Sequence, residues 1–86
     1  MWVINQDGIA VVQVQGLALD PTEVMNEEKR KNGVRIWGSI SDHDYIMGIY
    51  PTVEDAMQVL ALFSIAVSQC ENTFTMPKAK NDKEVA

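Results

Sequence analysis

The triplet Asp42-His43-Asp44 contains the residue types that most often bind metal ions or transfer protons. Three adjacent side chains on a tight turn do not easily converge on one ion, and aspartate favours turns because its side chain bonds to the local backbone. We therefore favour a turn role over a ligand or acid–base role. His43 is the only histidine, and the sequence has no nucleophile motif and no acid pair at a recognisable spacing. The sequence predicts that the protein is not an enzyme and uses neither a metal nor a cofactor.

Positive charge is concentrated in one short stretch of the chain. Four of the seven Lys and Arg residues lie between Lys29 and Arg35. The simplest interpretation is a solvated loop, because the run from Asn26 to Gly33 is charged, lacks aromatic residues and ends in an Asn-Gly pair. The alternative is that Arg30, Lys31 and Arg35 form a cationic rim for a phosphate or a carboxylate.

Trp37 follows this stretch on a predicted strand. Strand alternation puts Arg35 and Trp37 on one face, with Val34 and Ile36 on the other. If the Val34 face packs under a helix, Trp37 is exposed and suits stacking on a base or anchoring a partner. With the faces reversed, Trp37 belongs to the core, and the sequence leaves both arrangements open. The candidate ligand-binding residues are Arg30, Lys31, Arg35, Trp37, His43 and Tyr45.

A sheet must position these side chains, and two hairpins are predicted to supply most of it. The first has strands over residues 2–5 and 9–14 around Asp7-Gly8, and the second has strands over 34–40 and 45–50 around the turn 41–44. Gly38 and Gly48 lie inside the second hairpin, which indicates a bulge or a close backbone approach.

Shorter elements complete the sheet. Leu17 to Leu19 is predicted to form a short edge strand that Pro21 ends, and residues 26–33 are predicted to form an exposed loop. A short closing strand is expected around Phe74 and ends at Pro77.

One helix follows the second hairpin. Pro51 separates it from the strand, Thr52 is a good N-cap, and two acids lie in the first turn, where the helix dipole favours negative charge. We expect the helix to run from about Val53 to Gln69 or Cys70. The predicted fold class is α+β, an antiparallel sheet of four or five strands with one helix packed on a face, in the order β-β-(β)-β-β-α-β.

The predicted helix carries no charge between Asp55 and Glu71. At 100° per residue, the stripe expected to cover the sheet is Ala56, Val59, Leu60, Phe63, Ala66, Val67 and Cys70. The remaining face consists of Met57, Ala61, Ser64, Ile65 and Ser68, where an ordinary surface helix would be charged. We interpret this face as a contact with the same helix of a second copy, which predicts a homo-oligomer. An uncharged solvent-facing strip is the alternative; membrane association is disfavoured because flanking Lys and Arg are lacking.

Composition limits the remaining possibilities. The 86 residues suit one domain, predicted over 1–77, with a disordered charged tail over 78–86. The net charge of −5 argues against binding to long nucleic acid, but not against a small phosphorylated ligand. The single Cys70 excludes an intramolecular disulfide and is expected to be buried. Because we find neither a secretory signal nor an apolar run of the about 20 residues that span a bilayer, we expect a cytoplasmic protein with no membrane contact.

Three segments together resemble a known group of proteins. They are the opening MWVINQDG, the helix start Y-P-T-x-E-x-A at residues 50–56 and the closing T-M-P-K at 75–78. In this order they resemble small proteins of bacteriophages and prophages of Gram-positive bacteria. The resemblance implies a product that acts in the host cytoplasm against host defences.

The resemblance implies several functions. One is an oligomeric sponge that sequesters a cyclic nucleotide or an ADP-ribose-type immune signal between its subunits. An alternative is a stoichiometric inhibitor of a host defence protein, similar to an anti-CRISPR, and another is a virion accessory protein. The inhibitor would present Asp42, Asp44, Glu54 and Asp55 as an acidic face, which requires these four residues to gather at one end of the domain.

Overall fold

The computed structural model describes residues 1–30 and 33–79, with only the backbone described at positions 29 and 30. The elements in chain order are β1 (Trp2–Ile4), β2 (Val11–Gln13), β3 (Gly16–Leu19), α1 (Pro21–Met25), a 3₁₀ turn (Glu27–Arg30), β4 (Val34–Ile40), β5 (His43–Tyr50), α2 (Val53–Ser68) and β6 (Thr73–Thr75). This order confirms the predicted α+β class. The predicted tail lies outside the described residues from position 80 onward.

The strands form two sheets, so the prediction of one antiparallel sheet with four or five strands is wrong. One sheet has the order β2-β1-β6 and the other has the order β3-β4-β5. All pairs are antiparallel except β1 and β6, which run parallel. The division falls at Val14 and Gln15, where the amide of Val14 bonds to the carbonyl of Met1 at 3.0 Å and the amide of Gln15 bonds to the carbonyl of Ser39 at 2.7 Å. Consecutive residues thus continue different sheets, and the chain bends between them.

Gln6, which follows β1, forms a second connection between the two sheets. The backbone amide of Gln6 donates to the carbonyl of Met47 at 2.9 Å. Its side-chain oxygen accepts from the backbone amide of Ile49 at 2.8 Å, and its side-chain nitrogen donates to the carbonyl of Ile49 at 3.0 Å. These bonds occupy the backbone groups along the outer edge of β5 that would otherwise attract another strand. The two sheets therefore wrap around one core.

The core lies between the sheets and α2. Its buried hydrophobic residues are Val3, Val14, Val34, Ile36, Met47, Tyr50, Ala56, Val59 and Met76, which form one cluster. The Tyr50 hydroxyl donates to the carbonyl of Pro77 at 2.6 Å, and burial raises the pKa of this phenol to about 12. That bond ties the chain after β6 to the end of β5.

The predicted irregularity at Gly38 and Gly48 is confirmed. The ladder between β4 and β5 shifts between Ile36, which pairs with Gly48, and Trp37, which pairs with Ile46. Met47 is the extra residue of this bulge, and its side chain enters the core. A Cβ at Gly38 would lie only 2.8 Å from Met47 Cγ, so the glycine makes room for that side chain.

Helix α2 begins as predicted. Thr52 has extended backbone angles, and its hydroxyl accepts a bond from the amide of Asp55 at 3.1 Å. The helix ends at Ser68, and Cys70 has a φ of +58°. Cys70 is exposed, so the prediction that it is buried is wrong; the helical spacing does not extend as far as this residue. Val67, in the last turn, is also exposed, so the covered stripe narrows towards the C-terminal end.

Two predicted loops are shorter than expected. The second hairpin turns at Ser41 and Asp42, with a φ of +50° at Ser41, so His43 and Asp44 belong to β5 and not to the turn. The predicted loop before β4 is partly helical, because the 3₁₀ turn falls within it. The helix α1 was not predicted; Asp20 caps it and Pro21 occupies its first turn.

Candidate binding surfaces

Trp37 and Arg35 lie on the face of β4 that points away from the core. Val34 and Ile36 are fully buried, whereas Arg35 and Trp37 are half-buried. This decides between the two arrangements that the sequence left open: Trp37 is not a core residue. The outer face of this sheet also carries Ile46, which is exposed and pairs with Trp37 across the strands.

Arg35 is held by an acidic partner from α1. Its guanidinium Nη1 donates to Glu23 Oε2, and its backbone amide donates to Glu23 Oε1 at 2.9 Å. Glu23 is only 3 % exposed, because its side chain is covered where α1 packs against β4. The positive charge of Arg35 is therefore compensated by a buried carboxylate.

The other predicted ligand-binding residues do not gather around Trp37. Lys31 and the side chain of Arg30 lie outside the described part of the chain. His43 and Tyr45 are exposed, and the register pairs them with Ile40 and Gly38, on the opposite face of the sheet from Trp37. Of the six predicted residues, the structure brings together Arg35 and Trp37.

A groove of about 280 Å³ lies beside Trp37. It is lined by Ala18, Leu19, Asp20, Pro21, Trp37, Ser39 and Asp44. Asp44 Oδ1 accepts a bond from the Ser39 hydroxyl at 3.1 Å. Asp20 Oδ1 accepts bonds from the hydroxyl of Thr22 at 2.7 Å and from its amide at 2.9 Å, and these bonds lower the pKa of the Asp20 carboxyl. Among the described residues, the two charged side chains that line the groove are both acidic.

The sequence contained a signal for one of these two acids. The order Asp20-Pro21-Thr22 is a helix-start pattern, with a capping aspartate before a proline in the first turn. Pro21 also suits the end of a strand, which is the role that the sequence analysis predicts for it. Asp44 is predicted to lie in a turn, and no local pattern indicates that it lies beside Trp37.

The outer face of α2 is exposed and uncharged. Met57 is 57 % exposed and Ile65 51 % exposed, and Ala61 and Ser64 between them are exposed as well. The Ser68 hydroxyl donates back to the carbonyl of Ile65 at 2.8 Å, so its polar group is satisfied within the helix. The five residues Met57, Ala61, Ser64, Ile65 and Ser68 are called the outer helix face below.

The acidic residues of the inhibitor alternative lie apart. Asp42 is in the turn before β5, whereas Glu54 and Asp55 follow the other end of that strand. β5 is eight residues long, which at about 3.3 Å per residue corresponds to roughly 25 Å. The extended strand therefore separates the two acidic pairs, and Asp44 contributes to the groove instead.

Within 1–30 and 33–79, no three His, Cys, Asp or Glu side chains lie close enough together to hold a metal ion. No helix formed by those residues has the length and apolar character needed to cross a membrane.

Comparison of the chain with protein-family models, with curated proteins and with solved structures gave no match. The likeness to phage proteins stays a prediction, and functional interpretation depends on the geometry of this chain.

Proposed function

We propose that this protein is a non-enzymatic binding protein that works as a homo-oligomer, with its copies in contact through the outer helix face. The observation that carries the proposal is a solvent-exposed helix surface without a charge between Asp55 and Glu71, on a chain whose net charge is −5.

Two physical arguments favour a second copy as the occupant of this face. Copies of an acidic chain repel one another, so association is least opposed where the surface is uncharged. The face also has a shape suited to self-association, because the small residues Ala61, Ser64 and Ser68 let a second helix approach closely while Met57 and Ile65 supply apolar area. A two-fold axis across it would make the contact self-complementary.

The native cysteine offers a direct test of this contact. Cys70 is exposed, is the only cysteine and lies just beyond the end of α2. A spin label at Cys70 is expected to give a defined distance between two copies. The distance between the two labels should be short if the helices of the two copies are parallel. If they are antiparallel, it should exceed about 24 Å, the length of the 16-residue helix. The dipolar coupling between the labels should disappear when labelled protein is diluted with unlabelled protein. Absence of dipolar coupling at high concentration of fully labelled protein would contradict the proposal.

Sequestration of a nucleotide-derived immune signal is the second candidate. It is favoured by the placement of Arg35 and Trp37 on one solvent-facing sheet surface. The ion pair with Glu23 limits what Arg35 can offer an anion, so this function depends on Arg30 and Lys31. Isothermal titration calorimetry with a panel of cyclic di- and trinucleotides and ADP-ribose tests this function. Support would be a ligand that binds wild type but not the double variant Trp37→Ala/Arg30→Ala. If no compound of the panel binds wild type, the function is ruled out.

A further inference from the structure

We propose that the groove beside Trp37 binds the cationic side chain, lysine or arginine, of a partner polypeptide. This inference does not depend on oligomerisation through α2, because the groove lies on the outer face of the sheet β3-β4-β5, and residues of α2 do not line it.

The groove residues come from β3, β4, β5 and the start of α1. Trp37 on β4 pairs with Ala18 on β3, and Ser39 on β4 pairs with Asp44 on β5. These residues share one face of the sheet, with Trp37 on the central strand β4. Asp20 directly follows β3 and closes the groove on the side of α1.

The charge of the groove selects the sign of its ligand. Asp20 and Asp44 both line it, and the bonds from Thr22 keep Asp20 ionised well below neutral pH. The neighbouring Arg35 is already held by Glu23. An anionic nucleotide would therefore meet two carboxylates, whereas an ammonium or guanidinium group would meet two acceptors and the face of an indole.

The size and surroundings of the groove point to a side chain as the ligand. Its volume of about 280 Å³ lies just below the range of about 300–1,000 Å³ that is typical of small-molecule sites. Ala18 and Pro21 give the walls apolar surface that matches the methylene stem of lysine or arginine. Ile46, exposed beside Trp37 on the same face, can contact residues that flank the cationic side chain, which favours a polypeptide over a free amine.

The test is a titration followed by the indole N–H resonance of Trp37, assigned with the variant Trp2→Phe. The probes are the capped peptide acetyl-Gly-Lys-Arg-Gly-amide, its neutral counterpart acetyl-Gly-Gln-Gln-Gly-amide, n-butylammonium and ADP. We expect the cationic peptide to shift the Trp37 resonance saturably at millimolar concentration and the neutral peptide to leave it unchanged.

Asp44→Asn is the diagnostic variant, because an asparagine oxygen can still accept the bond from Ser39 while the charge is lost. It should weaken binding of the cationic peptide by about fivefold, equivalent to about 1 kcal/mol. Asp42→Asn is the matched control: it removes the same charge two residues away, from the turn and not from the groove, and should change the affinity by less than about twofold.

Several results would overturn the inference. An equal response to the neutral peptide would show that charge is not recognised, and equal weakening by Asp42→Asn and Asp44→Asn would show only long-range attraction. A response to ADP but not to the cationic peptide would favour the nucleotide function. Binding of n-butylammonium as tight as that of the peptide would remove the polypeptide as the partner.

Discussion

Arg35 donates both its backbone amide and its guanidinium to the carboxylate of Glu23, which is buried. The pair connects α1 to β4 through a guanidinium that the alternative interpretation of the sequence assigns to a cationic rim. Because both oxygens of Glu23 are engaged by one residue, the pair fixes the segment that carries Asp20 next to Trp37.

The first prediction concerns this ion pair. Arg35→Ala should lower the free energy of unfolding by about 2–3 kcal/mol, because it leaves the Glu23 carboxylate buried without its cation. Glu23→Gln keeps an oxygen for the amide of Arg35 and should cost less. Urea denaturation of both variants and of the double variant Glu23→Gln/Arg35→Ala measures the coupling, and additive effects of the two substitutions would contradict the described pair.

This prediction affects how ligand binding is interpreted. A loss of binding in Arg35→Ala can arise from a displaced α1, so it does not by itself identify a direct contact with a ligand. Trp37→Leu, which removes the aromatic face and keeps an apolar side chain, is the cleaner variant for the groove.

The second prediction concerns the close approach at Gly38. A Cβ there would lie 2.8 Å from Met47 Cγ and 2.9 Å from Val14 Cγ1, so Gly38→Ala should destabilise the fold by about 1–3 kcal/mol through overpacking. Gly16→Ala is the matched control, because a Cβ at Gly16 meets nothing within 4 Å. It should be neutral or stabilising, by less than about 1 kcal/mol. Thermal or urea unfolding decides; equal destabilisation at both glycines would refute the packing described for the bulge.

The third prediction follows from Tyr50. Burial raises the pKa of its phenol from 10.0 to about 12. Between these values the unfolded chain releases the proton and the folded chain keeps it, so this group's contribution to stability is complete below pH 10 and declines as the pH rises towards 12. Tyr50→Phe should remove that decline and, at neutral pH, cost about 1 kcal/mol through the lost bond to Pro77.

The pH dependence is obtained from unfolding free energies of wild type and Tyr50→Phe between pH 8 and pH 12. The difference between the two proteins isolates Tyr50 from lysines that titrate in the same range. Parallel curves would show that the phenol ionises equally in the folded and unfolded chains.

Local patterns in the sequence were sufficient to predict the features that depend on residues close together in the chain. Pro51 and Thr52 located the start of α2, and Gly38 and Gly48 indicated the bulge, because caps and close approaches select particular residue types. Alternation also put Arg35 and Trp37 on one face of β4.

Relationships between distant segments were not accessible in the same way. The parallel pairing of β6 with β1 joins the two ends of the domain, and the bond between Glu23 and Arg35 links two elements through a buried carboxylate. No periodicity encodes such contacts, so the division into two sheets and the compensation of Arg35 became visible only in three dimensions.

The most direct test of the proposed homo-oligomer is the molar mass in solution, measured by size exclusion with light scattering. Wild type is compared with Ala61→Glu/Ile65→Lys, which puts charges on the outer helix face, and with Val11→Glu/Gln13→Lys, which puts the same charges on exposed positions of β2. We expect a multimer for wild type and for the β2 variant, and a folded monomer for the helix variant. A folded wild-type monomer, or a helix variant with the mass of the wild-type multimer, would contradict association through α2.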